Sequence, residues 1–474
     1  MPFSIDVLEE LSAIRLGDRR LSSRARRILQ ALRRSPDSSL PAVFASSTEL
    51  DAAYGFFNNP KVVPASLLHP HIEATLDRLS GQGDWLCIHD TSEMAYDGPR
   101  LGLGPLCDHG QGYLAHFSLC ASAGPVPLPF GVAALELLTR PARRRKKKTR
   151  KAKYSLDFDN EHARWERAIA VVEKSARRHQ LPAPIHVLDR EGDSYLLFAQ
   201  MLEHSRRFIM RLTHNRTLSG EHASRSLTDA LAERPHQSVR ELFLSARQPE
   251  VIAPDAKRKH PPRTERVARV VISSECVALK RPHAAPNWLP SSLTVNVVRV
   301  HEPNPPPGEP AIEWRLATSD PIESAAQVEQ IVDWYRRRWL IEEFFGALKG
   351  GCAVLERQFE QAHALQNILA LSIPIAWQML ALRTLAHHKQ EAPASRVLTS
   401  QQVALIVAAS QALPVKQRAP DNPTARQALL AIAALGGHVL RNGEPGWKTL
   451  ARGFQRVREW ETFLPIAQKY LNSE

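Results

Sequence analysis

Cysteine is scarce in this sequence, and the few cysteines are too scattered for the sites that cysteine usually builds. The chain of 474 residues has five, and no two of them form a C-x-x-C pair. They are Cys87, Cys107, Cys120, Cys276 and Cys352. Zinc sites and disulfide frameworks need regularly spaced pairs. The spacing excludes both classes of site and favours a reducing compartment, so we expect a cytoplasmic protein.

Long uninterrupted apolar runs are also absent. The longest apolar region, Phe117 to Leu138, is broken by two glycines and three prolines, whereas a membrane-spanning helix needs about 20 consecutive apolar residues. The segment Met1 to Arg20 mixes charges with single apolar residues and lacks the basic-then-apolar pattern of a signal peptide. We therefore expect neither a membrane partner nor secretion.

Positive charge, by contrast, is abundant. Lysine and arginine number 62 against 49 acidic residues, which gives a net charge of +13. Clustered cations gain affinity for phosphate backbones by releasing condensed counterions, so an anionic partner is expected. Composition alone does not distinguish DNA from RNA or from an acidic membrane. The length allows two or three domains of roughly 100–200 residues each.

The first 70 residues are predicted to form a small helical unit with a cationic surface. Between Arg20 and Arg34 apolar residues recur at helical spacing, and arginines occupy another side of the same helix. These arginines are Arg20, Arg24, Arg27 and Arg34. Ser46 to Thr48 predict the start of a second helix, which continues through Phe57 and ends before Asn58. The arginines either contact DNA or form a solvated charged face.

Two short apolar strands are each predicted to end in an aspartate. Trp85 to His89 precedes Asp90, and Ile185 to Leu188 precedes Asp189. If the two strands are parallel neighbours, both carboxylates lie at one edge of a sheet. Further strands are predicted at His116 to Cys120, Phe130 to Leu138 and Phe208 to Arg211, and helices at Asn160 to Arg178 and Asp193 to His204.

Two other segments differ in character from this pattern. Arg140 to Lys153 is dominated by Arg and Lys, and such dense like charge predicts a mobile loop that either contacts phosphate or does not. From about residue 215 to 322, alternating segments such as Val267 to Ile272 and Leu293 to Val300 are separated by proline-rich turns, which indicates a β-rich insertion. After Ser324 the pattern is largely helical.

The most informative stretch runs from Trp334 to Lys349 and is predicted to be one helix. At about 100° per residue, Tyr335, Arg338, Glu342 and Lys349 fall within a stripe of roughly 60°. Leu340, Phe344 and Leu348 fall on the opposite side. Taken alone, the charged stripe could be an exposed face whose ion pairs stabilise the helix by about 0.2–0.5 kcal/mol each.

If Asp90, Asp189 and Glu342 lie together, an exposed charged face is no longer the favoured interpretation, because three acids in one place repel unless cations neutralise them. Hard divalent ions such as Mg²⁺ or Mn²⁺ prefer oxygen ligands. Two such ions about 3.5–4 Å apart can activate the attacking oxygen and stabilise the leaving one in a phosphodiester displacement. Arg338 and Lys349 are suited to hold phosphates, and Tyr335 is either a phosphate contact or a packing residue.

These motifs resemble those of a known family. Tyr335, Arg338, Glu342 and Lys349 match the Y-R-E-K signature of DDE transposases in the bacterial insertion-sequence-four branch, typified by the Tn-five transposase. Asp189 to Asp193 and His89 to Ser92 resemble the motifs around its two catalytic aspartates. Further similarity is found at Leu16 to Arg20, Leu435 to Gly437 and Pro445 to Trp447.

The resemblance implies an α/β fold: an RNase H-like catalytic core at 71–370 with a β-rich insertion at about 215–322, a helical DNA-binding domain at 1–70, and a helical dimerisation domain at 371–474. It implies cut-and-paste transposition. A homodimer would pair two inverted-repeat ends of double-stranded DNA, cut them through a hairpin intermediate with two Mg²⁺ or Mn²⁺ ions per active site, and join them to target DNA.

The resemblance also assigns roles to single residues. Trp314 matches a tryptophan that stacks near a flipped base in relatives, although a strand tryptophan is more often a core residue. Arg211 matches an arginine that assists DNA binding, and its alternative is a surface arginine. Arg190 and Glu191 either support Asp189 or form a local salt bridge. Gly346 departs from the family, since relatives place a DNA-contacting lysine there, and a glycine within a helix costs roughly 1 kcal/mol against alanine.

Two other functions stay open alongside the active transposase. A catalytically inactive DNA-binding inhibitor of transposition predicts the loss of at least one acid or of the N-terminal helices, and neither is seen in the sequence. A stand-alone metal-dependent nuclease would cut DNA without end specificity, and would need neither Trp314 nor a dimerisation domain.

Overall fold

The computed structural model describes residues 7–44, 46–107, 110–141, 161–244, 246, 263–412 and 417–471. The fold is mixed α/β, as predicted. The chain divides into two compact units. The first unit contains Met1–Arg145, Ala170–Pro182 and Trp339–Glu474, and the second contains Lys146–Ile169 and Ala183–Arg338.

Five helices open the first unit. They are α1 (Val7–Ser12), α2 (Arg19–Arg34), α3 (Leu40–Val43), α4 (Ser47–Phe57) and α5 (Pro64–Leu79). Helix α2 begins where the Asp18 side chain accepts the N–H of Arg20 at 2.7 Å, and α4 begins where Ser46 Oγ accepts the N–H of Glu49 at 3.2 Å. Such caps satisfy otherwise unpaired donors of the first turn. Both predicted N-terminal helices are confirmed.

Four strands follow in the first unit. They are β1 (Trp85–Tyr96), β2 (Gly104–Pro105), β3 (Gln111–Ser122) and β4 (Pro129–Leu138). Strand β3 is antiparallel to β1 on one side and to β2 and β4 on the other. The predicted strands at His116 to Cys120 and Phe130 to Leu138 are confirmed. Of the predicted basic loop, residues 142–153 lie outside the described part of the chain.

The prediction that the first strand ends at Asp90 is wrong. Strand β1 continues to Tyr96 in unbroken register with β3, and Asp90 lies within the strand, opposite Phe117. The ladder persists because the buried residues Ser92 and Met94 alternate with more exposed neighbours after Asp90. An alternation of this kind is typical of a strand with one covered face.

Helix α6 (Ala163–Arg178) leads to the elements of the second unit. They are β5 (Ile185–Leu188), α7 (Tyr195–Glu203), β6 (Arg207–Arg211), β7 (Leu218–Ser219), α8 (Leu227–Ala232), β8 (Ser238–Leu244), β9 (Arg266–Lys280), β10 (Ser292–His301), β11 (Glu313–Thr318) and α9 (Ala325–Arg336). Strand β5 is parallel to β6, and the sheet continues in the order β6, β11, β10, β9 through antiparallel pairs. Strands β7 and β8 both pair with β9.

The core of the second unit lies against this sheet and includes Phe198, Phe208 and Trp165. The predicted strands at Val267 to Ile272 and Leu293 to Val300 are confirmed as parts of β9 and β10. Strand β6 confirms the one predicted at Phe208 to Arg211. The boundaries predicted for the domains stay predictions, since the two compact units gather segments that are distant in the chain.

The remaining helices belong to the first unit. They are α10 (Trp339–Gly346), α11 (Ala362–His388), α12 (Ser400–Ala412), α13 (Ala425–Leu435) and α14 (Trp447–Leu471). Among the described residues, α11 is the one helix long and apolar enough to cross a membrane, but 94% of its apolar window is buried inside the protein. It contacts α4, α5, β4 and α13. Its burial identifies it as the central core helix of this unit.

The prediction of one helix from Trp334 to Lys349 is wrong in two places. Helix α9 ends at Arg336, and the N–H groups of Arg337 and Arg338 bond to the carbonyls three residues earlier, which forms a tight turn before α10. After Gly346 the chain widens into a π turn, Ala347–Gly351. The break falls where the second unit ends and the first resumes. Tyr335 and Arg338 are thus in the second unit, and Glu342 and Lys349 are in the first.

Candidate active site

Asp90 lies on β1 and is 8% exposed. Its Oδ1 accepts the N–H of the next residue, Thr91, at 2.7 Å. Because β1 is paired with β3 along its whole length, the backbone around Asp90 is fixed on both sides of the carboxylate. The strand therefore presents this acid from a rigid position.

Helix α10, which carries Glu342, packs on the strand next to Asp90. The Phe117 ring, on the residue opposite Asp90, lies 5.5 Å from each of the Phe344 and Phe345 rings, measured between centroids. Phe344 is fully buried, and Glu342 is half-buried. The predicted apolar side of α10 is thus confirmed as the buried one. This aromatic packing holds α10 against β3, the strand that pairs with β1 at Asp90.

Lys349, in the π turn after α10, connects this part of the chain to β1 by a hydrogen bond. Its Nζ donates to the backbone oxygen of Glu93 at 3.1 Å. Burial lowers the pKa of Lys349, although the negative charges of Glu342 and Glu93 act in the opposite direction. The ammonium group therefore lies among the acids of the first unit. Lys349 thus lies near Glu342 and Glu93, and Glu93 also pairs with Arg140 at 3.6 Å.

Asp189 directly follows β5, as predicted, and caps a short 3-10 turn at Arg190–Gly192. Its Oδ1 accepts the N–H of Glu191 at 2.9 Å. The side chain of Glu191 pairs with Arg164 at 2.8 Å, so the structure favours the local salt bridge for this residue. Asp189 is half-buried at the end of the strand.

Asp193, the last acid of the same motif, has a different environment. Its side chain is fully buried and pairs with the buried Arg216. Its Oδ2 also accepts the N–H groups of Thr213 at 2.7 Å and His214 at 2.9 Å. Asp193 therefore holds the segment that follows β6, a structural contact for which the sequence contains no specific signal.

Arg211, Trp314 and Tyr335 form an aromatic-cationic cluster in the second unit. The Trp314 and Tyr335 rings meet edge to face with centroids 5.9 Å apart, and the Arg211 guanidinium lies 5.8 Å from the Trp314 ring centre. Burial raises the pKa of Tyr335, and the positive charges of Arg211 and Arg338 lower it. Burial lowers the pKa of Arg211. Residues predicted separately to bind DNA are therefore neighbours here.

Sequence reasoning missed the contact between Trp314 and Tyr335, because it joins β11 to α9 through tertiary packing. The negative charge of Asp189 also acts on Tyr335, which links the second unit's acid to this cluster. Asp90 and Glu342 belong to one compact unit and Asp189 to the other. The convergence of all three carboxylates stays a prediction.

The donor atoms of these acids suit a hard divalent cation. Asp90, Asp189 and Glu342 offer carboxylate oxygens, the ligand type that Mg²⁺ and Mn²⁺ prefer. The half-buried positions of Asp189 and Glu342 leave part of each side chain open to solvent. The chemistry of each donor group therefore fits a hard divalent cation.

The predicted amphipathic character of α2 is confirmed. Ala25, Ile28, Leu29 and Leu32 are buried. Arg20 and Arg27 are exposed and Arg24 is half-buried. Arg33, in contrast, is buried and pairs with Glu461 of α14 at 3.0 Å. The exposed side of α2 is thus cationic, and the buried side packs on the rest of the first unit.

Comparison with known proteins adds independent findings. Residues 7–62 match the transposase DNA-binding family, and residues 143–376 match the transposase DDE domain family. Asp189 and Glu342 lie within the second match, and Asp90 lies in neither. A solved structure, the cryo-EM piggyBac transposase synaptic complex with hairpin DNA, is similar at 9% identity and a TM-score of 0.32, covering 68% of this chain and 51% of that one. The chain spans about half the length of that transposase, and a likeness this low supports no further argument.

The two family matches do not overlap and together take in more than half of the sequence. One is a DNA-binding domain, and the other is the catalytic domain that gives the DDE transposases their name. DDE domains use divalent metal ions, which agrees with the carboxylate donors described above. The chain therefore belongs to the DDE transposase family, with a transposase DNA-binding domain at residues 7–62 and a transposase DDE domain at residues 143–376.

Proposed function

We propose that this transposase works by a cut-and-paste route and belongs to the insertion-sequence-four branch. It would act in the bacterial cytoplasm as a homodimer that pairs two inverted-repeat ends, cuts the double-stranded DNA there and joins the ends to target DNA. The observation that carries the proposal is the packing of α10 on the partner strand of Asp90, where Phe117 contacts Phe344 and Phe345. It holds Glu342 and Asp90 on adjoining elements of one unit.

Asp90, Asp189 and Glu342 would together hold two Mg²⁺ or Mn²⁺ ions. Bound there, such ions would activate the attacking oxygen and stabilise the leaving one. The contribution of the protein is orientation. The β1–β3 ladder fixes Asp90, the 3-10 turn after β5 fixes Asp189, and aromatic packing fixes the helix of Glu342. Lys349 balances part of the negative charge of Glu342.

The cluster of Arg211, Trp314 and Tyr335, together with Arg338, would hold the DNA end. Its cations suit phosphate oxygens, and the half-buried Trp314 ring offers a surface for a base. We assign to Trp314 the stacking of an unpaired base that allows the DNA to bend back into a hairpin. The freed 3′-hydroxyl would then attack a phosphodiester bond of the opposite strand, which joins the two strands in a hairpin and releases the flanking DNA with a 3′-hydroxyl.

The assay for this function first requires sequencing of the DNA that flanks the reading frame, and then uses a duplex that carries the inverted repeat expected there. The protein is incubated with this duplex and Mg²⁺, and the products are separated on a denaturing gel. We expect a nicked strand followed by a hairpin. Cleavage without preference for the repeat would instead indicate a stand-alone nuclease, and binding without cleavage would indicate an inhibitor.

Replacing Trp314 with alanine is expected to reduce hairpin formation about 5- to 150-fold, because stacking of a base on an aromatic ring contributes about 1–3 kcal/mol. The first nick should persist, since it needs no displaced base. Trp288→Ala is the control, because Trp288 is 63% exposed in the same unit and outside the cluster. Undiminished hairpins in Trp314→Ala would exclude the assigned role.

Replacing both Arg20 and Arg27 with alanine is expected to weaken binding to the DNA end and to flatten its salt dependence. Each lost phosphate contact should reduce the slope of log affinity against log salt by about 0.9. Fluorescence anisotropy with a labelled end at several salt concentrations measures this. Arg177→Ala on α6 is the matched control, since that arginine is exposed and pairs with Glu173. An unchanged slope in the double variant would place the DNA contact elsewhere.

A further inference from the structure

Gly346 is closely covered by a side chain from another helix. Gly346 lies on α10, one helical turn after Glu342. A Cβ atom placed on it would lie 2.5 Å from Nε1 and 2.9 Å from Cδ1 of the Trp447 indole. Any side chain at this position would overlap the ring. The space that a larger residue would need is filled by a tryptophan from the start of α14.

Trp447 is itself held by Arg383 of the core helix α11. The Arg383 guanidinium lies 4.5 Å from the centre of the Trp447 ring, within the range of a cation-π interaction. Its Nη1 donates to the backbone oxygen of Pro445 at 3.2 Å. Its Nε lies 3.5 Å from Oε2 of Glu343, the residue next to Glu342. One arginine thus contacts both the indole and α10.

The contact continues along the π turn that follows α10. A Cβ atom on Gly350 would lie 3.5 Å from Cβ of Trp447, an ordinary van der Waals distance. Trp447 therefore covers the end of α10 and the turn after it. All of these residues belong to the first unit. The C-terminal helix is in direct contact with the segment that carries Glu342 and Lys349.

We propose that Trp447, held by Arg383, is a positioning group that fixes the orientation of α10 and so of the Glu342 carboxylate. Phe344 and Phe345 fix the strand side of the helix, and Trp447 with Arg383 fixes it through Gly346 and Glu343. Contacts behind a metal ligand determine how well the ligand is preorganised, and their loss weakens metal affinity. The inference rests on the proposed function, in which Glu342 is a metal ligand.

The packing part of the inference is tested by a double-mutant cycle of Gly346→Ala and Trp447→Ala, followed by urea unfolding. Alone, Gly346→Ala should lower the unfolding midpoint, because the new methyl group meets the indole. In the Trp447→Ala background it should leave the midpoint unchanged or raise it, since alanine is the better helix former. Gly55→Ala on α4 is the control, because nothing lies within 4 Å of its added Cβ. Equal effects of Gly346→Ala in both backgrounds would overturn the contact.

The positioning part is tested with Mn²⁺ alone, by following free Mn²⁺ through its electron paramagnetic resonance signal as folded protein is titrated. We expect Trp447→Ala to weaken Mn²⁺ binding about tenfold, and Trp447→Phe, which keeps a ring beneath Arg383, to restore most of the affinity. If Trp447→Ala does not fold, Arg383→Gln tests the same point, since it removes the guanidinium and leaves the indole in place.

Failure of the inference and failure of the proposed function give different results. Native Mn²⁺ affinity in folded Trp447→Ala, with affinity lost in Glu342→Gln, would overturn the positioning role and leave Glu342 a metal ligand. Native affinity in Glu342→Gln would overturn the metal role of Glu342 and the positioning inference with it, whereas the unfolding cycle would still report the packing contact.

Discussion

Replacing Glu342 with glutamine is expected to abolish DNA cleavage while leaving binding to the DNA end in place. The substitution keeps the size of the side chain and removes its negative charge, so one ligand of the proposed metal centre is lost. We expect cleavage to slow by at least about a thousandfold, which corresponds to about 4 kcal/mol on the activation barrier. Single-turnover cleavage of a labelled end with Mg²⁺, measured beside anisotropy of the same end, separates chemistry from binding.

Glu356→Gln is the control for the loss of a carboxylate from the first unit. Glu356 is largely exposed and pairs with the exposed Lys448 at 3.4 Å, so its removal should change neither cleavage nor binding. Cleavage by Glu342→Gln at the rate of the control would remove Glu342 from the mechanism. Loss of both cleavage and binding would instead indicate that the substitution disturbs the fold.

Replacing Asp193 with asparagine is expected to destabilise the second unit by about 3–5 kcal/mol, because the substitution breaks a buried ion pair. The Asp193 Oδ1 accepts from Arg216, and Oδ2 accepts two backbone N–H groups, from Thr213 and His214. An amide presents one oxygen and one NH₂ group. In either orientation of the asparagine amide, its NH₂ group faces an N–H donor, which is Arg216 in one case and the backbone in the other. Arg216 also loses the negative charge that balances its own. Urea unfolding followed by circular dichroism measures the difference.

Asp229→Asn is the control for this substitution. Asp229 is exposed and its carboxylate accepts from Ser226 Oγ at 2.6 Å, so we expect a change within about 0.5 kcal/mol. A similar small change in Asp193→Asn would show that the pair with Arg216 contributes little. Loss of cleavage by Asp193→Asn without loss of stability would instead assign Asp193 to the chemistry.

Local patterns in the sequence predicted most elements around the candidate site. The spacing of apolar residues predicted α2 and the buried face of α10, since a helix with one covered side repeats its apolar residues at a fixed period. The short apolar run before Asp189 predicted β5 and the position of that acid at its end. These features depend on residues close together in the chain.

Features that depend on partners distant in the chain were not predictable in the same way. Strand β1 continues past Asp90 because β3 pairs with it as far as Tyr96. The helix expected after Trp334 breaks at Arg337–Arg338, where the chain passes from one compact unit to the other. A local pattern contains neither the partner strand nor the boundary between units.

Gly346 shows the same limit at a single residue. Helix propensity predicts a cost for glycine at this position, but it does not predict the contact with Trp447, which lies about a hundred positions later and reaches α10 through tertiary packing. The cluster of Trp314 and Tyr335 likewise joins a strand to a helix. Sequence motifs identified these residues, and only the structure relates them to one another.

The hydrogen bonds between the N-terminal helices and α11 determine when, during synthesis of the chain, the DNA-binding domain can complete its fold. Asn367 of α11 donates to the backbone oxygens of Phe57 at 3.0 Å and Val62 at 2.9 Å, and Phe57 is 310 residues earlier in the chain. At roughly 5–20 residues per second, a ribosome needs roughly 15–60 seconds to cover that interval. Until α11 emerges, the helices of the DNA-binding domain lack part of their core. A newly made transposase therefore gains its complete DNA-binding fold only after most of its catalytic domain has been translated.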